Sequence, residues 1–67
     1  MSNRQERLGL HIRLKRHHLG LTQQELAVRC RISRGHLSQI ETGRYRPQCG
    51  TLTRLSEILQ FDPSAIQ

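Results

Sequence analysis

The stretch Leu21-Thr22-Gln23-Gln24-Glu25-Leu26-Ala27-Val28-Arg29-Cys30-Arg31-Ile32-Ser33-Arg34-Gly35-His36-Leu37-Ser38-Gln39-Ile40-Glu41 decides the fold of this chain. It reads as two short helices joined by a tight turn. Thr22 is placed to cap a helix starting at Gln23, its hydroxyl accepting from the amide of Gln24 or Glu25. Glu25, three residues after Thr22, completes a capping box. Leu26 and Ala27 follow as apolar contacts, with Cys30 one turn beyond, and the small Ala27 lets a second helix come close. Ser33 repeats the cap for a helix starting at Arg34. Leu37 and Ile40, spaced i and i+3, supply its inward face. Thr42-Gly43 ends it, with Gly43 as the left-handed residue. Cys30 to Ser33 is long enough only for a turn, and Ile32 is expected in the corner between the helices. The paired helices span about residues 22–42.

Outward from this pair, a first helix is expected over Arg4–His18, with Met1 to Asn3 loose before it. Leu8, Ile12 and Leu19 fall on one face, with Arg16 at its edge, and Gly20 ends the helix. Leu10 and Leu14 fall on the opposite face, where isolated exposed leucines are ordinary. Thr42 to Cys49 reads as a loop. A fourth helix is expected from Cys49 or Gly50 to Leu59, with Leu52, Leu55 and Leu59 inward and Ile58 flanking. Asp62-Pro63 is a start signal, Asp62 as cap and Pro63 as first helical residue. The fifth helix it opens has room for one turn, and Phe61 and Ile66 are expected to close the core there.

The 67 residues allow one small domain, residues 1–67, with hydrophobic content of 34% and no Trp, so the core must be aliphatic. No apolar run reaches the ~20 residues of a membrane span, and the N-terminus lacks a secretory apolar segment. A cytoplasmic protein is expected. Lys and Arg total 11 against 5 acids, for a net charge of +6. That balance favours a polyanionic partner. The non-packing face of the second paired helix carries polar and basic side chains, the arrangement that lets a helix enter the major groove of DNA.

These residues resemble the helix-turn-helix domains of the lambda-repressor and Cro type, also called XRE-type. The matching residues are Leu21 to Ala27, Ile32-Ser33-Arg34, Leu37 to Glu41 with Gly43, Arg46-Pro47 and Thr51-Leu52. They keep fixed spacing without a gap, and the resemblance runs from about Leu8 to Ile66. It implies an all-α, compact five-helix fold. It also implies sequence-specific binding to a double-stranded DNA operator as a transcriptional regulator, in the repressor role, as a homodimer on a pseudo-palindrome. No cofactor and no enzymatic activity go with it. Arg34, Gln39 and Ser38 are then the candidates for base readout, Arg34 because its fork matches guanine O6 and N7 and Gln39 because its amide matches an adenine edge. Gly35 stands at a position often used for base contact but has no side chain. Gln23, Ser33, His36, Arg44, Tyr45 and Arg46 are assigned to phosphate, with Gln23 at a helix N-terminus that favours an anion. Gln23 can also brace a side chain of the recognition helix, and His36 and Tyr45 have packing as their alternative. Arg16 and Glu41 match a pair that joins the first and third helices by a salt bridge.

Three positions depart from the family pattern. Arg31 stands where the turn usually has Gly, Gln60 replaces a common cap Gly, and Gln48 stands where Ser or Thr usually caps the fourth helix. A left-handed Arg31 costs about 1 kcal/mol relative to Gly.

Two other readings compete. A protein-interaction module, such as an antitoxin or controller subunit, would keep the fold but act through a protein partner. The chain could equally be the DNA-binding segment of a regulator with a further C-terminal domain. A metal site built from Cys30, Cys49, His11, His17, His18 and His36 lacks a Cys-x-x-Cys pair or a His pair at i, i+4. No Ser/His/Asp or Cys/His grouping points to catalysis.

Overall fold

The computed structural model describes residues 3–65. Four α-helices occur among them: α1 (Arg4–His18), α2 (Gln23–Cys30), α3 (Arg34–Glu41) and α4 (Cys49–Leu59). The expected fifth α-helix is instead a short 3-10 turn, Pro63–Ala65. Asp62 caps that turn by accepting from the Ser64 amide at 3.0 Å and the Ser64 hydroxyl at 2.8 Å. Three residues with i→i+3 bonding complete no α-helical turn. No strand occurs among the described residues.

Each helix start has a local cause. Asn3 is not loose; its Oδ1 accepts from the Glu6 amide at 2.8 Å and caps α1. Met1 and Ser2 lie outside the described residues. Thr22 and Glu25 form the expected capping box on α2, with bonds of 3.1 and 2.9 Å. The Thr22 amide and hydroxyl hold the Glu25 carboxyl below the usual carboxylate range. Ser33 Oγ accepts from the His36 amide at 3.0 Å and caps α3. Gln48 precedes α4 without a side-chain cap, so the first amides of that helix lack the partner the other three helix starts have.

The four helix ends share one device. After each helix a left-handed residue follows: Gly20, Arg31, Gly43 and Gln60. The next amide then bonds back five residues, Leu21 to Arg16, Ile32 to Ala27, Arg44 to Gln39 and Phe61 to Ser56, at 2.9–3.1 Å. This closure satisfies carbonyls that a helix end would orphan. In three of the four cases the residue turned back is apolar and packs against the core: Leu21, Ile32 and Phe61. Arg31 and Gln60 bear the left-handed strain without glycine's freedom.

The core consists of Ile12, Leu26, Ala27, Cys30, Leu37, Ile40, Leu55 and Leu59. α1 packs on α3 and α4, and α2 packs on the same two helices. Leu52 and Ile58 are half-buried at its margin, as are Ile32 and Phe61. Leu19 is not inward but 46% exposed. It ends α1 where the chain turns, and Leu21 takes the apolar place instead. Ile66 lies outside the described residues. Burial pushes the Cys30 thiol up, with Arg54 offsetting part of the shift, so this sulfur behaves as a small apolar group.

One contact sets the spacing of α1 and α3. Gly9 is buried, and a Cβ built on it would stand 2.3 Å from the Ile40 carbonyl oxygen and 2.6 Å from that of Glu41. The two backbones therefore meet with no side chain between them. Backbone cannot rotate away as a side chain tip can, so α1 would have to move off α3. Gly9→Ala is expected to cost about 2–4 kcal/mol, at the upper end of overpacking in a core. Chemical denaturation of wild type and variant measures it, and an unchanged midpoint would show that the helices separate freely.

Candidate nucleic-acid interface

The end of α1, the start of α2 and the end of α3 meet at one polar cluster. Arg16 and Glu41 are buried, with side chains 8% and 1% exposed. Arg16 Nε donates to Glu41 Oε2 at 2.8 Å and Nη2 donates to Oε1 at 3.2 Å. Arg16 Nη1 donates to the Leu21 carbonyl at 2.9 Å. Gln23 Nε2 donates to Glu41 Oε1 at 3.1 Å. The pair is thus bidentate, and both partners have further bonds. That geometry is what lets an ion pair survive removal from water. His17 Nε2 stands 3.4 Å from Arg16 Nη2 at the exposed edge of the cluster.

Above this cluster lies an open groove lined by Arg16, His17, Gly20, Thr22, Gln23 and Arg34. Gln23 is the first residue of α2, so its backbone amide lies among the unpaired donors of that helix end. One amide hydrogen of its side chain is committed to Glu41, which leaves the second hydrogen and the carbonyl oxygen for an outside contact. Bracing and outside contact are therefore compatible in Gln23.

α3 is held on one side and open on the other. Leu37, Ile40 and Glu41 are buried, whereas Arg34, Gly35 and Gln39 are exposed and Ser38 is half-exposed. Ser33 Oγ accepts the cap bond, and its hydroxyl hydrogen remains to donate outward.

The loop after α3 is tied to the helix that precedes it. The Gln39 carbonyl accepts from the Arg44 amide at 2.9 Å and the Tyr45 amide at 3.2 Å. Thr42 Oγ1 donates to the Ser38 and Gln39 carbonyls at 3.0 and 3.2 Å. The rings of His36 and Tyr45 meet edge-to-face, centroids 4.8 Å apart. His36 Nε2 is buried without a hydrogen-bond partner. The ring contact engages His36 and Tyr45 alike. Arg44, Tyr45 and Arg46 remain exposed.

Sequence reasoning missed two parts of this arrangement. The Leu21 carbonyl completes the Arg16 site, and only the left-handed turn at Gly20 aims it there. The His36–Tyr45 contact joins residues nine apart whose approach depends on the path of the loop.

The polar cluster yields a quantitative expectation. Glu41→Ala leaves the Arg16 guanidinium buried without its counter-charge, with the Leu21 carbonyl and the His17 ring beside it, and should cost about 3–5 kcal/mol. Arg16→Ala should cost a similar amount, and the double variant should cost clearly less than the sum of the two. Denaturant unfolding of the three variants measures the coupling. Additive losses would show that the pair contributes nothing as a pair.

Comparison with known proteins agrees with this geometry. Residues 7–67 match the family described as helix-turn-helix domain. The chain is similar to the ImmF control region 10 kDa protein of Bacillus phage phi105, with 37% identity over 62 residues, 92% of this chain and 69% of that protein. The crystal structure of the clp gene regulator ClgR from Corynebacterium glutamicum is similar with a TM-score of 0.88 and 31% identity, covering 97% of this chain and 69% of that one. The restriction-modification controller protein C.AhdI from Aeromonas hydrophila shares the fold, with a TM-score of 0.81 at 22% identity over 92% of this chain and 94% of that one. The chain thus belongs to the lambda-repressor and Cro type of helix-turn-helix proteins, a family of DNA-binding transcription regulators rather than enzymes.

Proposed function

We propose that this protein represses transcription by occupying an operator, acting in the cytoplasm as a homodimer on a pseudo-palindromic site. Half-sites would lie about one helical turn, ~34 Å, apart. One observation carries the reading: the exposed side chains of α3 stand beside the start of α2, whose Gln23 lines one groove with Arg34, and beside a basic loop bonded to α3 itself. A helix in the major groove needs such a pair of flanks to hold the phosphates of both strands. Arg34, Gln39 and Ser38 read base edges in this scheme, and Gln23, Ser33, Arg44, Tyr45 and Arg46 hold phosphates. His36 acts through Tyr45, which its ring supports, rather than by reaching a phosphate itself. No helix among the described residues is long and apolar enough to cross a membrane.

Binding should fall steeply with salt. Arg44 and Arg46 alone imply a slope of about −2 in log K against log salt per domain, from about −0.9 for each neutralised phosphate. Fluorescence anisotropy on an operator selected from random DNA checks it. A flat response would exclude phosphate-based binding.

Arg34 and Gln23 should fail in different ways when cut back to Ala. Loss of a guanine contact at Arg34 should cost about 1–3 kcal/mol on the selected operator and much less where that base pair is already changed. A phosphate looks alike at every sequence, so Gln23→Ala should weaken all sites by a similar factor. Affinities on the operator and its single-base variants separate the two. If Arg34→Ala weakened every variant equally, Arg34 would be a phosphate contact.

A further inference from the structure

The free fold gives no reason for a glycine at position 35. Gly35 is the second residue of α3, and the glycines with positive φ are Gly20 and Gly43, not this one. A Cβ built on Gly35 meets nothing within 4 Å, in contrast to Gly9. Neither turn geometry nor packing therefore requires it. Glycine inside a helix still lowers stability relative to alanine, because it has more backbone freedom to lose. Gly50, the second residue of α4, is equally open; Gly35 differs in lying next to Arg34 on the outer face of α3, the face assigned to bases.

The surroundings of Gly35 indicate what that is. It is exposed between Arg34 and the half-buried His36. Helical side chains lean toward the N-terminus, so the side chain of Gln39, one turn later, is carried toward Gly35, yet it does not come within 4 Å of where a Cβ would stand. The outer face of α3 thus has a notch floored by bare backbone, with Arg34 and Gln39 beside it. In the major groove an adenine presents N7 as acceptor and N6 as donor, which the two ends of a glutamine amide match. Its thymine partner adds a C5-methyl group that projects into the groove. That methyl is the size of the Cβ that Gly35 lacks.

We propose that Gly35 is a specificity-determining residue: its notch receives the thymine methyl of an A·T pair whose adenine Gln39 reads. This rests on the reading of α3 as the base-contacting helix. Alanine at this position would place its own methyl where the thymine methyl belongs. The recognition helix would then stand off from the base edges.

The test compares wild type and Gly35→Ala by thermal melting and by binding to the selected operator. Binding is repeated with deoxyuridine replacing each thymine in turn, which removes only the methyl. Gly35→Ala should melt about 2–5 °C higher yet bind the operator roughly tenfold more weakly. At one thymine, deoxyuridine should weaken the wild type roughly fourfold. The same replacement should restore part of the binding lost by Gly35→Ala, since the two methyls compete for one space. Equal operator binding by both proteins would overturn the proposal. So would a Gly35→Ala penalty that is unchanged by deoxyuridine at every position. If the wild type enriched no sequence from the random pool, the operator reading itself would fail, and this inference with it.

Discussion

The buried pairing of Arg16 with Glu41 is the constraint around which the rest of the molecule is arranged. Two charges removed from water are tolerated only when their mutual geometry is good and their remaining donors and acceptors are used. Arg16 meets this with two bonds to Glu41 and one to the Leu21 carbonyl, and Glu41 accepts from Gln23 as well. Those four residues come from the end of α1, the turn after it, the start of α2 and the end of α3. A shift of Arg16 or Glu41 would strand a charge, and a shift of Leu21 or Gln23 would take a hydrogen bond from one. The cluster therefore acts less as a source of stability than as a rule that permits one arrangement of the three helices. It also turns the carboxylate of Glu41 inward, on a helix whose outer face is assigned to a polyanion.

That rule would fail if α1 stood further from α3. The bare backbone of Gly9 brings α1 against the last carbonyls of α3, and this proximity puts Arg16 within reach of Glu41 seven residues later along the same helix. Packing and electrostatics thus specify the same interface by different means. The small aliphatic core adds cohesion but little direction, because hydrophobic burial is insensitive to orientation. Direction comes from the polar cluster, the close backbone contact and the repeated left-handed helix ends, which turn Leu21, Ile32 and Phe61 back onto the core.

The exposed face of α3 is built on the opposite logic. Its side chains have few partners within the fold, while the backbone beneath them is tightly held. Ser33 fixes its first turn, and the Ser38 and Gln39 carbonyls fix the loop that follows. The edge-to-face contact of His36 and Tyr45 adds a side-chain tie between helix and loop. A rigid backbone with unpaired heads loses little freedom when those heads find partners, which is where preorganisation raises affinity.

Helix boundaries were legible in the chain because caps are local chemistry. Thr22 with Glu25, Ser33, Asp62 and the glycines at 20 and 43 act over three to five residues, and the structure follows them closely. The left-handed conformations at Arg31 and Gln60 were legible through a family resemblance, not through propensity, which argues against them. The Arg16–Glu41 pair was legible in the same way, since nothing local links residues 25 apart. Asn3 was misread because its cap depends on one hydrogen bond in a polar segment that also suits a loose terminus. Leu19 was misread because helical periodicity holds only while the helix continues, and the turn at Gly20 passes its apolar role to Leu21. In place of a fifth α-helix the described residues hold the 3-10 turn Pro63–Ala65. Distances between elements left no mark in the chain. Gly9 and Gly35 look alike as helical glycines, yet one is pressed against backbone and the other faces open space. That difference depends on which helix lies opposite, and only packing in three dimensions decides it.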